Sequence, residues 1–349
     1  MTNRNILEED LDILCHTQCI DWEKFHNKHI LVTGGTGLIG STLIKALLYA
    51  SKVRGLNLHI HALVRNFDKA FKIFGGENNN LELIIGTLES LPEIFCSIDY
   101  IIHGANPTAS LYFVKQPVET IQIAVDGTFK LLTLAREKGV KSFVYLSSME
   151  VYGAPLDDKM IPETQGCTLD SMAIRSCYPI AKRLCENLCA SFASEYNVPT
   201  KVVRLAQTFG PGVAKDDARV FAEFARDAIE NRDIILQTDG SSKRMYLYTA
   251  DAVSAILTIL LRGKSGCAYN AANPETYCSI REMAELVASE IANNKISVRV
   301  LNNRNSAAQK YPPSHHLRLD SQKLLYLGWQ PRRDLKEMYL RMLYVDCFK

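Results

Sequence analysis

The stretch HILVTGGTGLIGSTLIKALL (residues 29–48) sets four glycines between an apolar, strand-like run and a helical pattern. Gly34 permits a tight turn out of a strand, Gly37 lets a ligand approach the backbone, and Gly40 lets the next helix pack closely. The helix then starts with unpaired N–H groups and a partial positive charge, which suits a phosphate. This strand–turn–helix predicts a dinucleotide gripped by its pyrophosphate, with Gly34, Gly37, Leu38, Ile39 and Gly40 as contacts.

The turn opens a longer alternation. LHIHALV (58–64), LELIIG (81–86), IDYIIHGA (98–105), SFVYLSS (142–148) and TKVVRLA (200–206) read as strands, with helical patterns such as 118–139 and 181–197 between them. Alternating β and α predicts an α/β fold: a Rossmann-like, doubly wound parallel sheet with helices on both faces. After residue 207 the rhythm loosens into Gly-, Pro- and Asp-rich loops. The expected organisation is a helical extension over 1–28, with Leu7, Leu11 and Leu14 on one stripe, then a dinucleotide-binding domain over 29–206. A smaller substrate-binding lobe makes up most of 207–349.

Lysine plus arginine total 40 against 38 acids, which excludes a general nucleic-acid binder but leaves room for one basic pocket. No apolar run reaches the ~18–20 residues that span a bilayer, so membrane insertion is not expected. Ten cysteines lack any CxxC pair; Cys15/Cys19 and Cys185/Cys189 stand four apart and read as packing residues on one helical face. Without a signal peptide, a reducing cytoplasm is the expected compartment. His26/His29 and His315/His316 lack companions at ligand spacing, so no metal is expected.

Chemistry concentrates in two places. YLSSMEVYG (145–153) ends a strand, and YPIAK (178–182) opens a helix. Tyr178 and Lys182, one turn apart, share a face. An ammonium beside a phenol favours phenolate and draws its pKa towards neutrality, as an acid/base for a hydroxyl or ketone requires. Ser148 can orient the same oxygen. At the end of the second strand, Arg65 and Asn66 occupy the place of the acid that binds the NAD ribose. Arg65 suits a 2′-phosphate, so the cofactor is NADP or NAD with a lean to NADP. His103, Gly104 and Ala105 end the fourth strand and are expected to line the nicotinamide half.

Together TGGTGLIG, SSMEVYG, YPIAK, RLAQTFGPG, DDARVFAEF, GSSKRMYLYTADAV, YNAANPETYCSI and LGWQP resemble the extended short-chain dehydrogenase/reductases of the NAD-dependent epimerase/dehydratase family, over about residues 29–345. The resemblance implies an enzyme acting on a nucleotide-diphosphate sugar through a transient keto sugar. It makes Tyr178 the acid/base, Lys182 the holder of the nicotinamide ribose, and Ser148 its aid. Thr87 and Leu88 fall where family members contact adenine, and Gln207, Arg219 and Arg244 fall at substrate positions. A homodimer through helices 118–139 and 181–197 is also implied. Within the family, dehydratases show Thr-Asp-Glu where this chain has Ser148-Met149-Glu150, and a thioether transfers no proton. The pattern looks nearest to UDP-glucuronate decarboxylases, with Glu150 and Arg244 assisting after carbon 4 is oxidised. Ala124 replaces the usual asparagine of the helix motif, and Gln207 and Gly212 replace Asn and Arg. An epimerase outcome stays open. So does an NADPH-dependent reductase of a nucleotide-linked keto sugar or ketose, towards which Arg65 pulls. A non-catalytic NADP(H) sensor is the rival class, against which Ser148, Tyr178 and Lys182 argue.

Overall fold

The structure, a computed structural model, describes residues 6–76, 78–108, 110–155, 157–166, 168–301 and 315–344. Cys167 and Cys347 lie outside them, as do the ends of the expected 1–28 and 207–349 segments.

Strands β1 (His29–Thr33), β2 (His59–Val64), β3 (Leu81–Ile85), β4 (Tyr100–His103), β5 (Ser142–Ser148) and β6 (Thr200–Leu205) fall where the apolar runs place them. With β7 (Gln207–Phe209), β8 (Ile234–Leu236), β9 (Lys243–Tyr248) and β10 (Cys267–Ala271) counted in chain order, the main sheet is seven-stranded, in the order β10-β6-β5-β4-β1-β2-β3. Its pairings are all parallel. From β1 the chain runs outward to β2 and β3, then crosses back to β4 on the other side of β1. The crevice between the carboxyl ends of β1 and β4 is therefore the switch point at which such sheets take ligands.

Helices α1 (Ile6–Cys15), α2 (Leu38–Arg54), α3 (Phe67–Phe74), α4 (Ser110–Lys115), α5 (Pro117–Lys138), α6 (Cys177–Tyr196), α7 (Val220–Ile229) and α8 (Thr249–Arg262) flank the sheets. Strand alternation divides the core. Ile30 and Val32 face a cluster with Leu43, Leu47 and Ile256, while Leu31 and Leu63 face Leu131, Leu132 and Phe143 on the side of α5 and α6. Helix α5 carries its punctuation in sequence, with Pro117 in its first turn and left-handed Gly139 (φ 59°) after its end.

A smaller sheet joins β7, β9, β11 (Asn273–Ser279) and β13 (His316–Leu317), and β8 pairs with β12 (Val298–Val300). Helix α1 is clamped onto the closing helix Leu335–Tyr344. Asp10 accepts from Arg341 at 2.8 Å, and Tyr248 donates to Asp10. One reading needs correction: α1 ends at Cys15, so Cys15 and Cys19 do not share a helical face, although both are buried. Cys185 and Cys189 do lie together inside α6. Among the described residues no helix is long and apolar enough to cross a membrane.

Candidate active site

The glycine turn is built for close approach. Gly34 has φ 75°, and a Cβ there would sit 2.8 Å from the Ala105 nitrogen. A Cβ on Gly40 would fall 2.2 Å from the Gly34 carbonyl oxygen, so this glycine lets α2 pack on the turn itself rather than on the sheet. Gly37 is the N-cap of α2 and makes no side-chain cap. The amides of Leu38, Ile39 and Gly40 form the first helical turn, where N–H groups lack intrahelical acceptors.

A buried hydrogen-bond chain holds the turn against β4. Thr128 donates its hydroxyl to the Ala124 carbonyl at 2.7 Å, so it can only accept from His103 Nε2 at 3.2 Å. His103 Nδ1 then accepts from the Thr33 hydroxyl at 2.8 Å, and Thr33 Oγ1 accepts the Ala105 N–H at 3.1 Å. His103 is 1% exposed, and burial, with the nearby Lys182 charge, lowers its pKa to about 3. It is a neutral brace beneath the crevice and not the lining residue expected.

Strand β5 delivers Ser148, a 3₁₀ turn (Met149–Tyr152) delivers Glu150, and the first turns of α6 deliver Tyr178 and Lys182. Tyr178 is buried, with Ser148 in hydrogen-bonding relation to its phenol and the Glu150 charge nearby. Burial first, then Glu150, raises the phenol's pKa above its ordinary value. This reverses the expectation that Lys182 would lower it. The ammonium donates to the Leu146 carbonyl at 2.7 Å and lies 5.9 Å from the phenol ring, so desolvation dominates. Burial lowers the Lys182 pKa to about 8. Lys182 is thus charged below that pH and neutral above it. kcat/KM, which reports free-enzyme groups, is expected to fall as pH rises through about 8. A flat profile across that range would remove the ammonium from the reaction.

Three residues missed in the sequence complete the pocket. Phe113 of α4 stacks on Tyr178 with centroids 4.3 Å apart. Arg175 lies over Phe113 at 4.7 Å and pairs with Glu150 at 2.9 Å, both side chains part-exposed. Asn106 keeps both side-chain amide atoms buried without a hydrogen-bond partner among the described residues. Its position just beyond the carboxyl end of β4 was the available signal. The open turn and this orphaned amide fit a dinucleotide laid across the switch point.

Other expected residues lie further out. Arg65 is exposed just after β2 and makes no ion pair among the described residues, while Asn66 caps α3 by accepting from the Lys69 N–H at 2.8 Å. Thr87 Oγ1 accepts the Ser90 N–H. The Leu88 side chain is 5% exposed and packed where a Cβ on Gly127 would meet it at 2.7 Å, and its carbonyl accepts from Lys130. Gln207 opens β7, opposite Tyr246. Arg219 is held by Asp217 at 2.5 Å, and its charge still reaches Tyr178. Arg244 belongs to a separate neighbourhood on β9, opposite Cys278 and 3.5 Å from His315, and its Nε is buried without a partner among the described residues.

The model of the "NAD dependent epimerase/dehydratase family" matches residues 30–272. This chain belongs to that family. It is a Rossmann-fold enzyme of the NAD-dependent nucleotide-sugar epimerase, dehydratase and decarboxylase group. It is 28% identical to UDP-glucuronic acid decarboxylase 3 of Arabidopsis thaliana over 89% of this chain and 86% of that one. An epimerase of Methanothermobacter thermautotrophicus superposes with a TM-score of 0.77 at 25% identity, covering 94% of this chain and 95% of its own. The dTDP-glucose 4,6-dehydratase DesIV of Streptomyces venezuelae, solved with NAD bound, shares the fold with a TM-score of 0.74 at 19% identity, covering 92% and 100%.

Proposed function

We propose that this family member acts on a nucleotide-diphosphate uronic acid, oxidising carbon 4 transiently and releasing carbon dioxide, as the names of the decarboxylase relatives indicate for them. The observation that carries this reading is the Glu150–Arg175 pair at the mouth of Tyr178, beside Met149. A carboxylate and a guanidinium beside the phenol support the orienting of a sugar carboxylate there, and with Met149 in place of an acid the chain lacks the proton donor that water elimination needs.

Bound nicotinamide supplies a reversible two-electron acceptor for the hydrogen on carbon 4. The residues of the chain do the rest. Tyr178 takes the proton of the 4-hydroxyl and later returns one to the oxygen, with Ser148 orienting it. Lys182, charged below about pH 8, is assigned to the nicotinamide ribose. A ketone at carbon 4 makes the substrate a β-keto acid, so the enol left by carbon dioxide is stabilised, and Glu150 and Arg175 control the carboxylate and the returning proton. Phe113 covers the phenol and limits water. Arg219 supports binding of the diphosphate, with Asp217 holding its guanidinium in place; Gln207 and Arg244 are assigned to the rest of the nucleotide sugar. The test is incubation with UDP-glucuronate followed by mass spectrometry. Loss of carbon dioxide without net reduced nicotinamide supports the reading. Unchanged substrate, an epimer alone, or stoichiometric consumption of NADPH overturns it, the last in favour of a reductase.

Arg65 is assigned to the adenosine ribose, where its exposed guanidinium, without an ion pair among the described residues, supports acceptance of NADP as well as NAD. Arg65→Ala is expected to weaken NADP binding by about 10–100-fold, the worth of a charge-assisted bond, and NAD binding far less, as read by calorimetry. Exposed Val118, Ile121 and Phe129 on α5 and Leu184 on α6 support a homodimer through these helices. The eight described cysteines are free thiols, which supports a reducing compartment such as the cytoplasm.

A further inference from the structure

Towards the amino-terminal ends of β1 and β2 lies a cluster that the proposed chemistry does not use. His29 opens β1, His61 lies on β2, and Cys96 comes from the segment leading into β4. Their ligand atoms, one each, all lie within 4.8 Å of one another. His29 Nδ1 is 2.9 Å from His61 Nε2, and Cys96 Sγ is 3.7 Å from that same nitrogen. His61 Nδ1 is 2.7 Å from a Glu82 carboxylate oxygen on β3. We propose that His29, His61 and Cys96 bind one zinc-class divalent ion, with Glu82 orienting His61 and solvent in the fourth position.

Several features point the same way. Two imidazoles and a thiol are the donors that zinc and its neighbours prefer. Glu82 fixes the tautomer: Nδ1–H donates to the carboxylate, which leaves the Nε2 lone pair facing His29. Carboxylate-backed histidine is the common outer arrangement of such sites. Tetrahedral bonds of ordinary length imply about 3.3 Å between two ligand nitrogens and about 3.6 Å between nitrogen and sulfur. Cys96 Sγ lies 3.7 and 3.8 Å from the two ring nitrogens of His61, so its side chain has to turn towards Nε2, and the two imidazoles need to part by about 0.4 Å on the same estimate. His29 stays neutral by moving its proton to Nε2, and Cys96 gives up its thiol proton, so binding releases one proton. His61 is 5% exposed, whereas His29 and Cys96 are half-buried, so the site has a held floor and an entry path. The ion would tie β1 and β2 to the crossing segment about 13 Å along β1 from Thr33, away from the phenol.

The experiment titrates the full chain, cleared of metal by chelator, with cobalt(II) and then zinc. One equivalent of cobalt per chain with a thiolate-to-metal absorption band, displaced by zinc, is expected. Cys96→Ser should abolish the band, Glu82→Gln should weaken cobalt affinity by about 10–100-fold, and Cys278→Ser, a thiol elsewhere in the fold, should leave both intact. Zinc should also raise the melting temperature of the parent chain and not that of Cys96→Ser. The absence of a band, or a band that survives Cys96→Ser, overturns the proposal. Cys96 is part-exposed and Glu82 63% exposed, so both variants keep the buried His61 in place, and circular dichroism checks that they fold.

Discussion

Tyr178→Phe is expected to lower kcat on a nucleotide-sugar substrate by about 10²–10⁴-fold, the usual contribution of a positioned proton donor. The substitution removes one oxygen and keeps the ring, so the stack on Phe113 at 4.3 Å and the packing of α6 survive. Dinucleotide affinity should therefore stay at the parent value while turnover is lost. Steady-state kinetics alongside a fluorescence titration of the cofactor separates the two. A variant with parental kcat would remove Tyr178 as the acid/base. The raised pKa keeps the buried phenol protonated in the free protein, the form that returns a proton to the 4-oxygen, and the proton-accepting form has to be reached with substrate and cofactor in place. Ser148→Ala should reduce kcat less, since it loses only the orienting hydrogen bond.

Glu186→Ala is expected to cost about 3–5 kcal/mol of stability, because it leaves a buried guanidinium without its counter-charge. Arg204 of β6 meets Glu186 of α6 at 2.6 Å, with side chains 14% and 10% exposed. The same carboxylate accepts from Ser147 at 2.5 Å, and Arg204 also donates to Tyr152 and to the Glu163 carbonyl. The network anchors the residue next to Ser148, so the loss reaches the site as well as the fold. A melting temperature lower by an amount on the order of 10 °C is the expected readout. Glu186→Leu combined with Arg204→Met should recover most of it, since removing both charges also removes their desolvation cost. An unchanged melting temperature for Glu186→Ala would show that the pair is better solvated than its burial indicates.

The comparison of sequence with structure turns on range. SFVYLSS becomes β5 over the same seven residues because consecutive residues there are buried on both faces, a pattern visible locally. The turn at Gly34 was equally visible, since only glycine tolerates its conformation and its neighbours. Tyr178 and Lys182 share a face by helical geometry alone. What escaped is of another kind. Arg175 and Phe113 sit in short elements with no periodicity, and they matter because the fold brings them over Tyr178. β10 completes the main sheet by pairing with β6, more than sixty residues earlier in the chain. His29 looked solitary until β2 and the segment before β4 supplied His61 and Cys96.

The sequence by itself determined the strand–helix alternation, the glycine turn and the Tyr178–Lys182 spacing proposed to handle protons, because each is written in neighbours a few positions apart. Only the tertiary structure decided which way the Tyr178 and Lys182 pKa values move, that Arg175 answers Glu150, and which histidines meet. Those outcomes depend on desolvation and on contacts between segments far apart in the chain, and local spacing carries no record of either.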